Sequence, residues 1–471
     1  MAIQQLRADY LIVGAGAVGM AFADTILGES DASIIIVDRY AKPGGHWNVA
    51  YPFVQLHQPS QFYGVSSKEL SGGRIERGGL NDGLNELASG AEVSAYFDDV
   101  MRHQFLPSGR VQFFPMCDYK GEGRFESIVG NRRYQVEVGK KIVDATFLKT
   151  KVPSTHTPNF SIADGVPFMP LNDLPKVTTP PDHYMVIGGG KTGIDACLWL
   201  LGMGVDPDCI DWVRPRDSWL LNRKNAQPTD DFFYNVFGAQ LALMESAAKA
   251  ASYEDLFERL EAGGYFLRLD QEVTPRMFHG ATISEPELKL LQTIRSVIRL
   301  GRITHLGDKT IEFQQGSLPA KPNTIYVDCS ARPLDGLPDD VPVFNGDTIT
   351  PQMVRSYQPV FSAALIAHIE LSMDDDEAKN SVTTPVPPPE ADTDFAYFSA
   401  VSMMNQYLWS QNDDIAEWLL GNRLDGFSRM LKNAKEDPEK TQLLERMRSY
   451  GPDAVSNLFK LHNDFHAQDA A

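Results

Sequence analysis

The sequence predicts an α/β protein built of two units in which strand, glycine turn and helix alternate, and three observations carry that prediction. The apolar run Tyr10-Leu11-Ile12-Val13 leads into Gly14-Ala15-Gly16-Ala17-Val18-Gly19. Far downstream, Tyr184-Met185-Val186-Ile187 leads into Gly188-Gly189-Gly190-Lys191-Thr192-Gly193. A second short apolar strand comes after each motif, Ile34 to Val37 in one case and Asp211-Trp212-Val213 in the other. Each motif stands where a strand turns into a helix, which suits a dinucleotide pyrophosphate. The first glycine permits the tight turn, the second lets backbone approach phosphate, and the third lets the helix pack closely. Two such motifs point to two nucleotides meeting in one protein.

The residue that ends the next strand separates the nucleotides. After the first motif that residue is Asp38, whose carboxylate can accept from both hydroxyls of an adenosine ribose. After the second motif it is Arg214, with Arg216 close behind. A cation there can bind a 2′-phosphate, so the second site is read as preferring NADPH to NADH. The competing reading makes both arginines solvated surface charges. Lys191-Thr192 does not make the second motif a P-loop, because that loop needs a glycine where Met185 stands.

At 471 residues, 43% hydrophobic and 22% charged, the chain has room for two or three domains with full cores. A net charge of −19 argues against nucleic acid or an anionic membrane as partner. The first strand is expected within the opening residues, a reading that leaves no room for a secretory leader, and no apolar stretch approaches the roughly 20 residues that span a bilayer. A cytoplasmic location is the expectation. Cys117, Cys197, Cys209 and Cys329 form no close pair, so neither a zinc site nor a redox-active disulfide is expected.

In chain order, the first unit passes from its strand–helix–strand into a long Gly-, Pro-, Gln- and Ser-rich loop from Ala41 to Gly72. Residues 109–148 alternate in short segments between Gly and Asn turns, which predicts an antiparallel meander. The second unit carries the second motif and then a helical insertion over 222–299. There, Ser284 with Glu287 makes a capping box before Leu291, Ile294 and Ile298 at helical spacing. Strands resume at Arg302–Thr304, Thr310–Phe313 and Thr324–Val327 and are expected to complete the first sheet. Residues 373–394, acidic and then proline-rich, read as a surface linker of polyproline character. Beyond them Ile415, Trp418, Leu419, Leu443, Leu444 and Met447 mark amphipathic helices whose apolar faces serve core or homodimer contact. The expected fold is thus two Rossmann-like three-layer domains with a β meander, a helical insertion and C-terminal helices. The first nucleotide domain comprises 1–165 and 300–372, the second 166–299, and the helical region 395–471.

Further segments resemble the two-dinucleotide-binding-domain flavoproteins, most closely the flavin-containing monooxygenases. Pro43-Gly44-Gly45-His46-Trp47 is similar to the G-G-x-W segment those enzymes place beside FAD. Tyr51-Pro52 and Leu56-His57-Gln58-Pro59-Ser60 resemble the loop that reaches the isoalloxazine, and Thr146 to Pro158 the crossover between domains. Tyr326 to Ala331 and Phe344-Asn345-Gly346-Asp347 are similar to the returning FAD strand and its Gly-Asp turn. The resemblance implies FAD held by Gly14, Gly16, Gly19, Asp38, Gly45, Trp47, Gly346 and Asp347. NADPH would lie on Gly188, Gly190, Lys191, Thr192, Gly193, Arg214 and Arg216.

The activity so implied is monooxygenation. FAD carries the hard chemistry, NADPH gives hydride to the flavin, and a C4a-peroxide formed with molecular oxygen passes one oxygen atom to a small amine, sulfide or ketone. His57 and Gln58 are the candidate catalytic groups beside the peroxide, His57 as a general acid; the alternative is a loop histidine bonded to backbone. One motif of those enzymes is absent: Phe160 to Leu174 contains Gly165 but no histidine after it. An NADPH-dependent flavin reductase, dehydrogenase or oxidase without oxygen insertion therefore stays open, as does a non-catalytic flavin-binding protein. The substrate is not legible.

Overall fold

A computed structural model describes residues 3–148, 150–331, 337–338 and 340–469. The first sheet is ordered around the strand Ile3–Val13, flanked by Arg133–Asp144 on one side and Ile34–Val37 then Val111–Phe114 on the other. All of these pair in parallel, as does Thr348–Ile349 on the outer edge of Arg133–Asp144. Cys117–Gly121 and Arg124–Ser127 pair antiparallel and join the near end of Arg133–Asp144. The expected meander is therefore present over 117–144, while Val111–Phe114 belongs to the parallel sheet.

The helix Ala17–Glu29 covers one face of this sheet and packs on the helix Pro359–Ser372. Residues 360–369 of the latter are all buried, Ser362 and His368 among them, as expected for a mostly apolar helix walled in on every side. Each fully buried Phe, Leu or Ile side chain there contributes about 1.5–3 kcal/mol.

The second sheet runs Phe168–Pro170, Thr324–Asp328, His183–Ile187, Ile210–Val213, Ser296–Ile298, all parallel. This corrects the sequence reading twice. Thr324–Asp328 completes the second sheet and not the first. Ile303–Leu306, Thr310–Phe313 and Gly316–Pro319 form a separate sheet with Ser161–Ile162, packed on Met185, Ile187 and Val213. The chain rejoins the first unit at Val343, whose side chain enters that core, rather than at residue 300. A buried parallel strand is an apolar run whichever sheet receives it, so sequence alone did not choose between the two.

In the insertion, Ser284 and Glu287 form the expected capping box, but the helix stops at Leu291. Ile298 lies in the edge strand of the second sheet, paired with Val213. The helices Phe233–Lys249 and Tyr253–Ala262 make up the rest, with a small sheet of Leu220–Asn222, Phe266–Leu267 and Thr282–Ile283.

Residues 373–394 are not a surface linker. Asp375 caps a short helix, Asp376–Ser381, whose Lys379 is buried against Glu370 at 2.6 Å. Val386 is buried, and its N–H donates to the Met353 carbonyl at 2.7 Å. Asn405 donates to the Thr384 carbonyl. The proline-rich stretch keeps its place because its backbone groups find partners in the flanking elements.

The C-terminal helices serve the core, as the apolar faces predicted. Trp409 and Ile415 are buried in the first-unit core, with Trp418 and Leu419 against it. Leu444 is buried beside Phe233, Val236 and Phe237, with Leu443 and Met447 packed around them. The last helix, Pro438–Asp469, lies along Phe233–Lys249. Among the described residues, no helix is long and apolar enough to cross a membrane.

Candidate functional site

The two glycine turns have the same construction. Gly14 has φ +102° and Gly188 φ +138°, so each strand turns through backbone that only glycine takes without strain. A Cβ on Gly19 would fall 2.0 Å from the Gly14 carbonyl oxygen, and one on Gly193 2.0 Å from that of Gly188. The third glycine in each motif is thus what lets the helix sit on its own turn. Gly16 and Gly190 are the N-caps of the helices Ala17–Glu29 and Lys191–Gly202, and neither end has a side-chain cap. First-turn N–H groups at both ends are left for an outside acceptor, as phosphate binding requires.

Both turns open on one cavity of about 2240 Å³, bordered by Gly14, Gly16, Gly188, Gly190, Lys191 and Thr192 among others. A Cβ on Gly190 would meet nothing within 4 Å, whereas one on Gly45 would come 3.0 Å from Gly16 Cα. The second turn therefore has an open face, and the Gly44-Gly45 loop closes tightly over the first. These features fit dinucleotides at both places.

The residues that discriminate nucleotides are placed unequally. Asp38 borders the cavity at the end of its strand. One oxygen accepts from Ala15 N at 2.5 Å and the other from Tyr40 N at 2.7 Å. Burial raises its pKa, against the lowering effect of those two N–H groups. Asp38 thus braces the turn and still presents lone pairs to the cavity. Arg214 is only 3% exposed, lies 4.7 Å over the Trp212 ring and pairs with Asp217 at 3.3 Å. It does not border the cavity. Arg216 does, with Glu390 at 3.3 Å. Of the two expected phosphate cations, only Arg216 faces the space where a nucleotide would lie.

Gly346 and Asp347 also need correcting. They form the exposed turn of the hairpin Phe344–Asn345/Thr348–Ile349 and do not border the cavity. Gly346 N donates to Asp376, and the Asp347 carbonyl accepts from Ile142 N at 2.8 Å. Thr348–Ile349 runs parallel to Ile3–Val13 through Arg133–Asp144, so its C-terminal end faces the site and the turn before it faces away. The segment after that strand, Met353 and Arg355 to Pro359, borders the cavity instead. Sequence reasoning missed it; the available signal was Pro359 opening a mostly apolar helix.

The loop after the first unit's second strand supplies one wall. Trp47 Nε1 donates to the Tyr63 hydroxyl at 2.8 Å, and the two rings pack edge to face. His46 lies beside Trp47 with ring centroids 5.0 Å apart, and burial pushes its pKa down to about 4. Tyr51 donates to Asp195 at 2.6 Å, and Lys191 pairs with the other oxygen of that carboxylate.

His57 and Gln58 both border the cavity. The His57 carbonyl accepts from Arg223 at 2.8 Å, and Arg223 pairs with the buried Glu287 at 2.9 Å. The His57 imidazole has no hydrogen-bond partner among the described residues. Burial depresses its pKa strongly, and the positive charges of Lys191 and Arg223 add to this. It is therefore a neutral imidazole on a residue that borders the cavity and is anchored through its backbone carbonyl. The four cysteines are free thiols, and burial raises those of Cys197 and Cys329, which makes them poor nucleophiles.

The far wall is apolar. Phe237, Leu243 and Met244 of the insertion face Phe398, Met403 and Leu420 of the C-terminal helices.

No family model matches the chain. Among solved structures it is similar to a flavin monooxygenase mutant from Stenotrophomonas maltophilia, with TM-score 0.45 and 14% identity over 80% of this chain and 99% of that one. It is also similar to the open form of cyclohexanone monooxygenase, with TM-score 0.49 and 12% identity over 92% and 98% of the two chains. A polycyclic ketone monooxygenase from Thermothelomyces thermophila gives TM-score 0.47 and 11% identity over 93% and 89%. In sequence it matches uncharacterized proteins of Mycobacterium tuberculosis and Mycobacterium bovis, each 45% identical over 435 residues, which is 92% of this chain and 80% of theirs. At that identity and coverage, the chain belongs to the family of these mycobacterial proteins.

Proposed function

We propose that this protein is an FAD-dependent, NADPH-using monooxygenase that inserts one oxygen atom of O2 into a small organic substrate. The observation that carries the reading is that two dinucleotide turns of the same build open on one cavity with an apolar far wall. FAD, when bound, supplies hydride acceptance from the nicotinamide and the activation of oxygen. The chain's residues bind and orient. Gly14, Gly16, Gly19 and Asp38 would hold the flavin nucleotide, with Gly45 and Trp47 along its side. Gly188, Gly190, Lys191, Thr192 and Gly193 would hold the NADPH pyrophosphate, and Arg216 its 2′-phosphate. His57, being neutral, offers one N–H donor and one acceptor nitrogen to the reacting region and repels no cation there. Phe237, Leu243, Phe398 and Met403 keep water out, which strengthens every polar contact inside.

A second reading, NADPH-dependent flavin reduction or oxidation without oxygen insertion, is favoured by the absence of a histidine between Gly165 and Leu174. One experiment separates the two. The purified protein is tested for bound flavin, and NADPH turnover under 18O-labelled O2 is measured with a panel of amines, sulfides and ketones. Label in an organic product supports the monooxygenase. Hydrogen peroxide formed one for one with NADPH, and no labelled product, supports the second reading. A colourless protein that takes up no FAD defeats both.

A further inference from the structure

We propose that the Tyr357 hydroxyl is the hydrogen-bond donor that seats the substrate, and that its chamber takes an apolar molecule carrying an uncharged acceptor oxygen. The inference rests on the proposed function only in treating this cavity as the substrate's place.

Three observations at Tyr357 point the same way. Its φ is +52°, a left-handed backbone that an aromatic residue adopts at a cost of about 1–3 kcal/mol. It stands on the cavity-bordering segment just before the helix Pro359–Ser372. Its ring lies against Gly280, itself at φ +66°, where a Cβ would fall 2.2 Å from Tyr357 Cζ. Phe278 meets that ring edge-on at 5.9 Å, and Phe398 lies tilted against it at 5.1 Å. The first unit, the insertion and the C-terminal helices therefore all converge to hold one phenol. Yet the hydroxyl they hold is buried and has no hydrogen-bond partner.

An unpaired buried hydroxyl costs about 1–3 kcal/mol. Packing alone would be served as well by phenylalanine. A strained backbone and a glycine platform that together hold an unpaired, buried O–H on a residue bordering the cavity make sense if a ligand completes the bond. The surroundings define the nature of that ligand. Burial, with Tyr265 and Asp394 close by, pushes the phenol's pKa well above its usual range, so the group is a donor and not a phenolate. Asp394 already accepts from the N–H groups of Glu390 and Ala391, and its negative charge disfavours an anion beside Tyr357. Met277, Phe278, Phe398 and Met403 give the rest of the molecule an apolar bed. An uncharged carbonyl or ether oxygen on a hydrocarbon body meets all these conditions.

The test compares acetophenone with α-methylstyrene, which has nearly the same shape but no acceptor oxygen. Dissociation constants are measured by ligand-observed NMR on the full chain supplied with FAD, for the unaltered protein and for Tyr357→Phe. The unaltered protein should bind acetophenone about tenfold more tightly than the alkene, and Tyr357→Phe should lose that tenfold for the ketone alone. The urea midpoint of Tyr357→Phe should not fall, because no protein partner is lost. Equal binding of the two probes by the unaltered protein, binding of neither, or equal weakening of both in Tyr357→Phe overturns the proposal; the hydroxyl then serves water or packing. Flavin content and NADPH oxidation of the unaltered protein are recorded separately. A protein that lacks both but still distinguishes the probes refutes the proposed function and leaves this inference standing.

Discussion

Tyr51 donates a 2.6 Å hydrogen bond to Asp195 and so joins the loop of the first nucleotide unit to the first helix of the second. Lys191, from the second glycine motif, pairs with the other oxygen of the same carboxylate. One aspartate thus accepts from both units at the edge of the cavity they share. Burial, and then the Asp195 charge, keeps the Tyr51 phenol protonated and able to donate. The bond adds a polar tie to the packing of Phe53 on Trp199, which joins the same two units.

Tyr51→Phe should lower global stability by roughly 1.5–3 kcal/mol, the usual worth of a hydrogen bond to a charged group. Urea denaturation measures this. An unchanged midpoint would mean that the units are held together by other contacts.

The third glycines should be separable by cofactor. Gly19→Ala forces a Cβ onto the Gly14 carbonyl, and Gly193→Ala forces one onto that of Gly188. Each overpacking should cost about 1–3 kcal/mol locally. The first variant should come off the column with little flavin, and the second should keep its flavin while its Kd for NADPH rises. Loss of flavin from Gly193→Ala alone would reverse the assignment of the two sites.

The two arginines should also part company. Arg216→Ala should raise KM for NADPH about tenfold, the loss of one charge-assisted hydrogen bond, and leave KM for NADH alone. Arg214→Ala should instead lower the unfolding midpoint, because Arg214 packs on Trp212 and pairs with Asp217 inside the protein. A selective effect of Arg214→Ala on NADPH would show that the nucleotide reaches behind the strand end.

His46 makes a pH prediction with a definite sign. Its pKa falls from 6.5 to about 4 on burial. Between those values the unfolded chain binds a proton that the folded chain does not. The stability linked to His46 is therefore complete above pH 6.5 and declines as pH falls toward about 4. His57 acts in the same direction. His46→Gln should remove up to one proton from the pH slope of the unfolding free energy, measured by urea titrations between about pH 7 and about pH 5. An identical slope in the variant would place His46 in contact with water.

The strongest sequence signals were local ones. Gly14, Gly19, Gly188 and Gly193 were legible because turn geometry and helix-on-turn packing are settled within a few residues. The same holds for the Ser284–Glu287 capping box and for Asp38 at its strand end. Trp47 borders the cavity, and the Gly44-Gly45 turn before it closes over Gly16.

What the sequence by itself determined is therefore the two turns, the elements that bear them and the polarity of the C-terminal helices. Tertiary structure decided which sheet takes Thr324–Asp328, which arginine faces the cavity, and that Gly346-Asp347 points away from it. It also decided that Tyr357, Gly280 and Phe398 meet. The physical reason is the same in each case. Steric rules for a glycine turn act along the chain, whereas strand pairing and side-chain direction depend on partners brought in from far along it. An apolar strand or a surface-looking arginine carries no local mark of the partner it will find.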